Sequence, residues 1–170
     1  TKAEEIGQPT TGVEGYAGNA FEFTTGGGVQ DALRSGEALP INGEEFTVSG
    51  WLNYTSHEGA ARFFQLGGNV DSVPTNGFSL EMGNDDLYPV GWNGGAAAVG
   101  GPSIGLSPDT WHLVVLSCDG DDFRLHVFDE DGELDASPVE YTLSRGQSGS
   151  EVLNMMAGDG NEVEGRLDEV

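Results

Sequence analysis

Tyr88, Trp92 and Asn93 combine aromatic rings and a side-chain amide within six residues. The two aromatics flank Pro89 in a glycine-rich stretch with little periodic pattern. An exposed aromatic ring offers an apolar face on which a sugar can stack. Asn93, with Asp85 and Asp86 upstream, could hydrogen-bond its hydroxyls. The competing reading is that Trp92 covers an edge of the core. Asp85-Asp86, and Asp119 with Asp121 and Asp122, read as solvated turns. The cluster Asp129-Glu130-Asp131-Gly132-Glu133-Leu134-Asp135 contains a turn and lacks the glycine placement of an EF-hand loop. No His-Glu-x-x-His pattern occurs. His57, His112 and His126 have no partner at ligand spacing and read as surface or strand-face side chains. Cys118, the only cysteine, sits in an apolar run and reads as a buried structural thiol. Asn53-Tyr54-Thr55 matches an N-glycosylation acceptor, placed where a strand gives way to a loop. If used, it puts the domain outside the cell.

The charge balance narrows the partners. There are 29 acidic residues against 6 basic ones, a formal net charge of -23, and Lys2 is the sole lysine. Such a surface repels itself at ordinary ionic strength. At ~1 M salt the Debye length falls to ~3 Å and the repulsion is screened. The acids are spread along the chain, so the protein reads as adapted to near-molar salt. The alternative is an ordinary acidic secreted domain, with or without bound calcium. Nucleic acid is disfavoured, because phosphate binding needs clustered Lys and Arg and the five arginines are scattered. Anionic membrane surfaces are disfavoured likewise. No apolar stretch approaches the ~20 residues a membrane-spanning helix needs, so no membrane insertion is expected.

Short strands must position these residues. Ala20-Phe21-Glu22-Phe23 alternates. In residues 46–52, Phe46, Val48 and Leu52 share one side, with Thr47, Ser49 and Trp51 on the other. Arg62-Phe63-Phe64-Gln65-Leu66 and Gly77-Phe78-Ser79-Leu80-Glu81-Met82 follow. Residues 83–110 read as one weak strand and a long loop. Residues 111–118 are almost continuously apolar, as for a strand covered on both faces. Asp119-Gly120 signals a hairpin into residues 123–128, and Asp131-Gly132 repeats the signal. Residues 139–143, 152–157 and 164–170 complete about ten strands, with Asp159-Gly160-Asn161 as the last turn. Trp51 and Trp111 read as packed into the fold. Residues 1–11 read as an N-terminal tail or linker, with a helical scrap at residues 2–6 too short to stand alone. The expected fold is all-β, an antiparallel two-sheet sandwich over residues 12–170.

Several phrases occur in a recognisable order. They are Gly18-Asn19-Ala20-Phe21-Glu22-Phe23, Phe46-Thr47-Val48-Ser49-Gly50-Trp51-Leu52, Trp111-His112-Leu113-Val114-Val115, Phe123-Arg124-Leu125-His126-Val127 and Glu164-Gly165-Arg166-Leu167-Asp168-Glu169-Val170. The set resembles the laminin-G-like branch of the concanavalin A-like lectin/glucanase superfamily. The resemblance implies a jelly roll and an adhesion, glycan-binding or accessory module on a secreted, cell-surface or virion protein. Asp168, with Asn19 as a weaker candidate, would then help hold a structural calcium; otherwise Asp168 is a solvated or turn-capping acid. Glucan-hydrolysing relatives carry Glu-x-Asp-x-x-Glu on one strand, and this chain has no such pattern. In the family the closing phrase runs on into a short tail. Here Ala3-Glu4-Glu5-Ile6 looks like that tail and stands at the start, so the sequence reads as a piece of a longer chain.

The expected function is therefore a non-catalytic recognition module in a high-salt exterior, with a glycan or glycosylated cell surface as partner. The alternatives are a structural domain that packs against neighbouring subunits of a surface layer or virus particle, and a glycoside hydrolase or lyase.

Overall fold

The computed structural model describes residues 3–24, 31–39, 45–68, 72, 74–99, 102–144, 146, 152–157 and 163–170. Two antiparallel sheets face each other. Sheet I runs β1 (Ala3–Ile6), β4 (Ala32–Ser35), β14 (Leu153–Ala157), β6 (Ala61–Leu66), β7 (Gly77–Gly83), β8 (Asp86–Asn93) and β10 (Ile104–Gly105), with β9 (Ala96–Val99) also paired to β8. Sheet II runs β13 (Val139–Thr142), β12 (Asp122–Phe128), β11 (His112–Asp119), β5 (Glu45–His57), β15 (Val163–Asp168), β3 (Asn19–Phe23) and β2 (Thr10–Glu14).

Alternation in the strands builds the core. Val48, Leu52 and Tyr54 of β5 meet Val114 and Leu116 of β11 and Leu125 and Val127 of β12 on the inner face of sheet II. Phe78, Leu80 and Met82 of β7 supply the facing layer from sheet I, beside Phe64 and Leu66 of β6. Burying each such side chain contributes roughly 1.5–3 kcal/mol. Cys118 is buried in the same core. The two-sheet sandwich anticipated above is the observed architecture.

Several local features differ from the sequence reading. Residues 83–110 are mostly paired strand, not a long loop. Asn84 and Asp85 both have positive φ, 56° and 62°. That is the backbone of a tight two-residue hairpin, in which Asn and Asp tolerate the left-handed region. Pro89 stands within β8 opposite Leu80 of β7; among the described residues β10 pairs with Asp86 and Leu87 and β9 with residues 90–93. The run at 111–118 is covered on one face only. His112, Val114, Leu116 and Cys118 point inward, while Leu113, Val115 and Ser117 are half-buried on the outer face. A two-layer sandwich has no third layer to cover them. Residues 3–6 are strand, not helix, paired with β4 at the edge of sheet I, and residues 10–14 form β2 at the edge of sheet II. Most of the segment read as a tail is therefore paired into the sandwich. The turn at residues 159–161 lies outside the described residues.

Tyr54 ties the two ends of this arrangement. Its hydroxyl donates to the Leu106 carbonyl at 2.9 Å, and Asp85 Oδ1 lies 3.3 Å away. Burial, then the charge and hydrogen bond of Asp85, push the phenol up to about 12. Tyr141, which donates to the Pro102 carbonyl at 2.6 Å, is pushed up to about 12 by burial. The fold thus favours the neutral phenols. Their contribution is complete below an unfolded value of about 10 and is lost as pH rises towards 12. Circular dichroism is expected to hold to about pH 10 and to fall between 10 and 12. Tyr54→Phe should shrink that loss, while costing about 1–3 kcal/mol at neutral pH because the Leu106 carbonyl loses its donor. An alkaline transition identical in this variant would contradict the assignment.

Candidate functional site

The outward-facing positions of sheet I hold the candidate site. Strand β7 sends Phe78, Leu80 and Met82 into the core, so Ser79 and Glu81 must face the other way. Register places Gln65 opposite Ser79, Asn154 opposite Gln65, and Arg62 opposite Glu81. A bulge at Phe63 brings Arg62 and Gln65, three residues apart, onto one face. The extra ring stacks on Phe64 with centroids 4.1 Å apart.

Outward positions are usually solvated, but these are not. Asn154 is 0% exposed, Arg62 4%, Glu81 7% and Trp92 8%; Gln65 and Ser79 are also buried. A hydrogen-bonded chain links four of them. Trp92 Nε1 donates to Ser79 Oγ at 2.9 Å. Ser79 Oγ donates to Glu81 Oε1 at 2.7 Å, and Arg62 Nε donates to the same oxygen at 3.4 Å. Gln65 Nε2 donates to the Gly67 and Ser72 carbonyls, holding the β6–β7 connection near this face. Arg62 and Asn154 are incompletely used. Arg62 Nη1 and both amide atoms of Asn154 are buried with no hydrogen-bond partner among the described residues. A buried polar group left unpaired costs about 1–3 kcal/mol, so each needs a reason.

The residues singled out by sequence fall differently. Tyr88 and Trp92 do share this face, two positions either side of Val90. Trp92 is not an exposed platform, because it is buried and its indole N–H is spent on Ser79. Tyr88 is half-buried, and its phenol is raised first by burial and then by the Glu81 carboxylate. Asn93 is exposed at the end of β8, where its amide donates to Ser144 Oγ at 3.3 Å. Arg62, Gln65, Ser79, Glu81 and Asn154 escaped the sequence reading. An arginine and a glutamine inside the apolar run 62–66 were the available signal.

Trp51 and Trp111 are not core residues. They are half-buried on the outer face of sheet II, where Tyr16 stacks on Trp51 with ring centroids 3.6 Å apart. Trp111 meets Tyr16 edge-on at 6.4 Å. Tyr16 is 41% exposed. His112 is buried, not at the surface, with Asp135 at Nδ1 and the Ser107 carbonyl at Nε2. His57 bridges Gly59 O and the Asp85 N–H. Asn53 lies inside β5 opposite Arg166, not at a strand end as read from sequence. A glycosylation acceptor is expected on a surface loop, and a half-buried position inside a strand, paired there with β15, is a poor place for one. A hollow of about 500 Å³ beside β12 and β13 is lined by Asp122, Arg124, Glu140 and Thr142. Its polar groups serve one another: Arg124 pairs with Glu140, and Thr142 donates to Asp122.

Asp168 braces backbone. Its Oδ2 accepts the Ala17 N–H and its Oδ1 the Glu169 N–H, both at 2.9 Å. A Cβ on Gly15 would lie 2.5 Å from that Oδ2, so glycine is needed where the β2–β3 turn approaches. Asn19 is exposed at the start of β3. No group of three His, Cys, Asp or Glu side chains converges among the described residues. Calcium takes six to eight oxygen ligands, and one carboxylate already holding two amides with one exposed amide does not suit it. A chelator at constant salt is expected to leave the melting temperature unchanged. A fall of several degrees, restored by calcium, would overturn this.

Comparison with known sequences places the chain. Residues 24–170 match the Laminin_G_3 family, described as concanavalin A-like lectin/glucanases superfamily. The chain belongs to this family. No curated protein sequence matches it. Among solved structures, the Laminin_G_3 domain is similar to domain 4 of AbnA, a GH43 extracellular arabinanase from Geobacillus stearothermophilus in complex with arabinotriose. The TM-score is 0.71 at 16% identity, covering 95% of this chain and 73% of that one. It is similar to the carbohydrate binding module CBM66 from Bacillus subtilis, with TM-score 0.53 at 14% identity, covering 98% and 90%. It also resembles the enzymatically active domain of bacteriophage CBA120 tailspike protein 2, with TM-score 0.68 at 10% identity, covering 97% of this chain but 27% of that one. The Laminin_G_3 domain thus spans about a quarter of the tailspike chains it resembles. At these identities the likeness concerns the fold.

Proposed function

We propose that this domain is a non-catalytic glycan-binding module, displayed outside the cell or on a virion in high salt. It takes its ligand on the outer face of sheet I. The observation that carries the reading is the pair of buried, unpartnered groups, Arg62 Nη1 and the Asn154 amide, beside the Trp92–Ser79–Glu81 chain. Amide and guanidinium groups aimed at one face are what orient a polyhydroxylated ligand. Domain 4 of AbnA in complex with arabinotriose and CBM66, both of this fold, support the same class of partner. Absence of catalysis is part of the proposal. Glycosidases work with two carboxylates across the scissile bond, and Glu81 is already committed to Arg62 and Ser79. The net charge of -23 supports the salt-adapted setting.

Asn154→Leu tests the site. Removing an unpaired buried amide is expected to leave stability unchanged or slightly higher. It is also expected to weaken binding to an immobilised oligosaccharide panel at least tenfold, about 1.4 kcal/mol. Unchanged binding by the folded variant would discard the site. Release of new reducing ends from the panel would discard the non-catalytic reading.

A second reading rests on the outer face of sheet II. Trp51, Leu113 and Phe128 form one half-exposed row, with Tyr16 stacked on Trp51. An apolar sheet face of this kind suits packing against neighbouring subunits of a surface assembly. Light scattering across a concentration series tests this second reading: self-association that a Trp51→Ala variant loses would favour it, and a monomer at all concentrations would count against it.

A further inference from the structure

We infer that the ligand of the sheet I face is a neutral, hydroxyl-bearing glycan and not an acidic one; this rests on the binding reading above and specifies its chemistry. The first ground is the set of unpaired atoms. Arg62 Nη1 and Asn154 Nδ2 can only donate, whereas Asn154 Oδ1 can only accept. A hydroxyl both donates and accepts, so neighbouring sugar hydroxyls can satisfy all three. A carboxylate or sulfate placed at these atoms only accepts, and would leave Asn154 Oδ1 buried and unpaired at a cost of about 1–3 kcal/mol, so the contacts here belong to hydroxyls.

The second ground is charge. In a protein of net charge -23, the rows of this face carry their cations beside anions. Arg62 faces Glu81 across β6 and β7, and Arg34 stands opposite Glu4 across β4 and β1. Arg34 is also opposite Asn154, whereas Arg62 is opposite Ala157, so the two arginines lie on separate rows of this face. Each has a glutamate at the adjoining position, and Asp86 adds a further negative charge at the β8 end of the same face. The face therefore has no surplus positive charge with which to hold an anion. An acidic sugar would bring a second negative charge next to Glu81 in a buried setting, where like charges are strongly unfavourable.

The test uses the wild-type chain and pairs of oligosaccharides differing only in charge, such as α-1,4-oligogalacturonates and their carboxyl-reduced counterparts. Calorimetry in ~1 M salt, where the Debye length is ~3 Å, removes the repulsion of the whole protein as a cause. The neutral member of at least one pair is expected to bind at least tenfold more tightly than its acidic partner, and Asn154→Leu to erase the difference. Equal or tighter binding of the acidic members would overturn the inference and leave the glycan module standing. Binding of neither member of any pair, charged or neutral, would remove the glycan reading and this inference with it.

Discussion

Arg62→Ala is expected to destabilise the domain by about 3–5 kcal/mol, the range for leaving one member of a buried ion pair without the other. Arg62 and Glu81 meet at 3.4 Å with both side chains almost wholly inaccessible. Removing the guanidinium leaves the Glu81 carboxylate enclosed, with Ser79 Oγ the one donor left to it among the described residues. The Trp92 indole, bonded to that same hydroxyl, is the next group to lose its place. Against a total stability of about 5–15 kcal/mol, this is a large fraction. Chemical denaturation, read as the midpoint at constant slope, measures it. A double replacement, Arg62→Met with Glu81→Met, should recover most of the loss, because an apolar pair of similar volume carries no desolvation cost. If the single variant lost less than about 1 kcal/mol, the pair would behave like a surface contact and the buried network would have little structural weight.

Lowering the salt should produce the other large effect. The chain carries 29 acids, and its few arginines are partly committed: Arg62 to Glu81, Arg124 to Glu140, Arg166 to Glu22. Most carboxylates have no arginine partner among the described residues. Each exposed like-charge contact costs a few tenths of a kcal/mol, and over some twenty of them the sum reaches several kcal/mol. Going from ~1 M to ~0.01 M salt lengthens the Debye length from ~3 Å to ~30 Å. The melting temperature is expected to fall by on the order of 10 °C or more, at about 2–4 °C per kcal/mol for a chain of this size. Thermal melts across a sodium chloride series, without divalent ions, check this. A melting temperature that stays level down to the lowest salt would argue for an ordinary acidic domain.

Much of the sandwich could be read from local pattern. Alternation in residues 46–52 and 77–82 correctly separates Val48, Leu52, Phe78, Leu80 and Met82 as core. Asp119-Gly120 correctly marks the β11–β12 hairpin, whose glycine has φ 61°. These signals are legible because a strand's facing side is a property of consecutive residues. The candidate site was not legible in the same way. Trp92 stood out by its type and neighbours, yet the structure buries it and gives its N–H to Ser79, thirteen residues earlier. Trp51 and Trp111 looked like core residues by their apolar context, yet they face outward with Tyr16. Apolar context does not say which layers exist, and nothing local shows that sheet II lacks a cover.

By itself, the sequence determined an all-β chain, the inner face of its clearest strands, an acidic surface and the family resemblance. Only the tertiary structure decided that β14, from near the end of the chain, lies between β4 and β6, and so sets Asn154 beside Gln65 and Arg34. It also decided that a bulge turns Arg62 towards Glu81. The reason is physical. Which way a side chain points follows from a two-residue period, whereas which strands become neighbours depends on closing loops of tens of residues and on the burial gained across the whole sandwich.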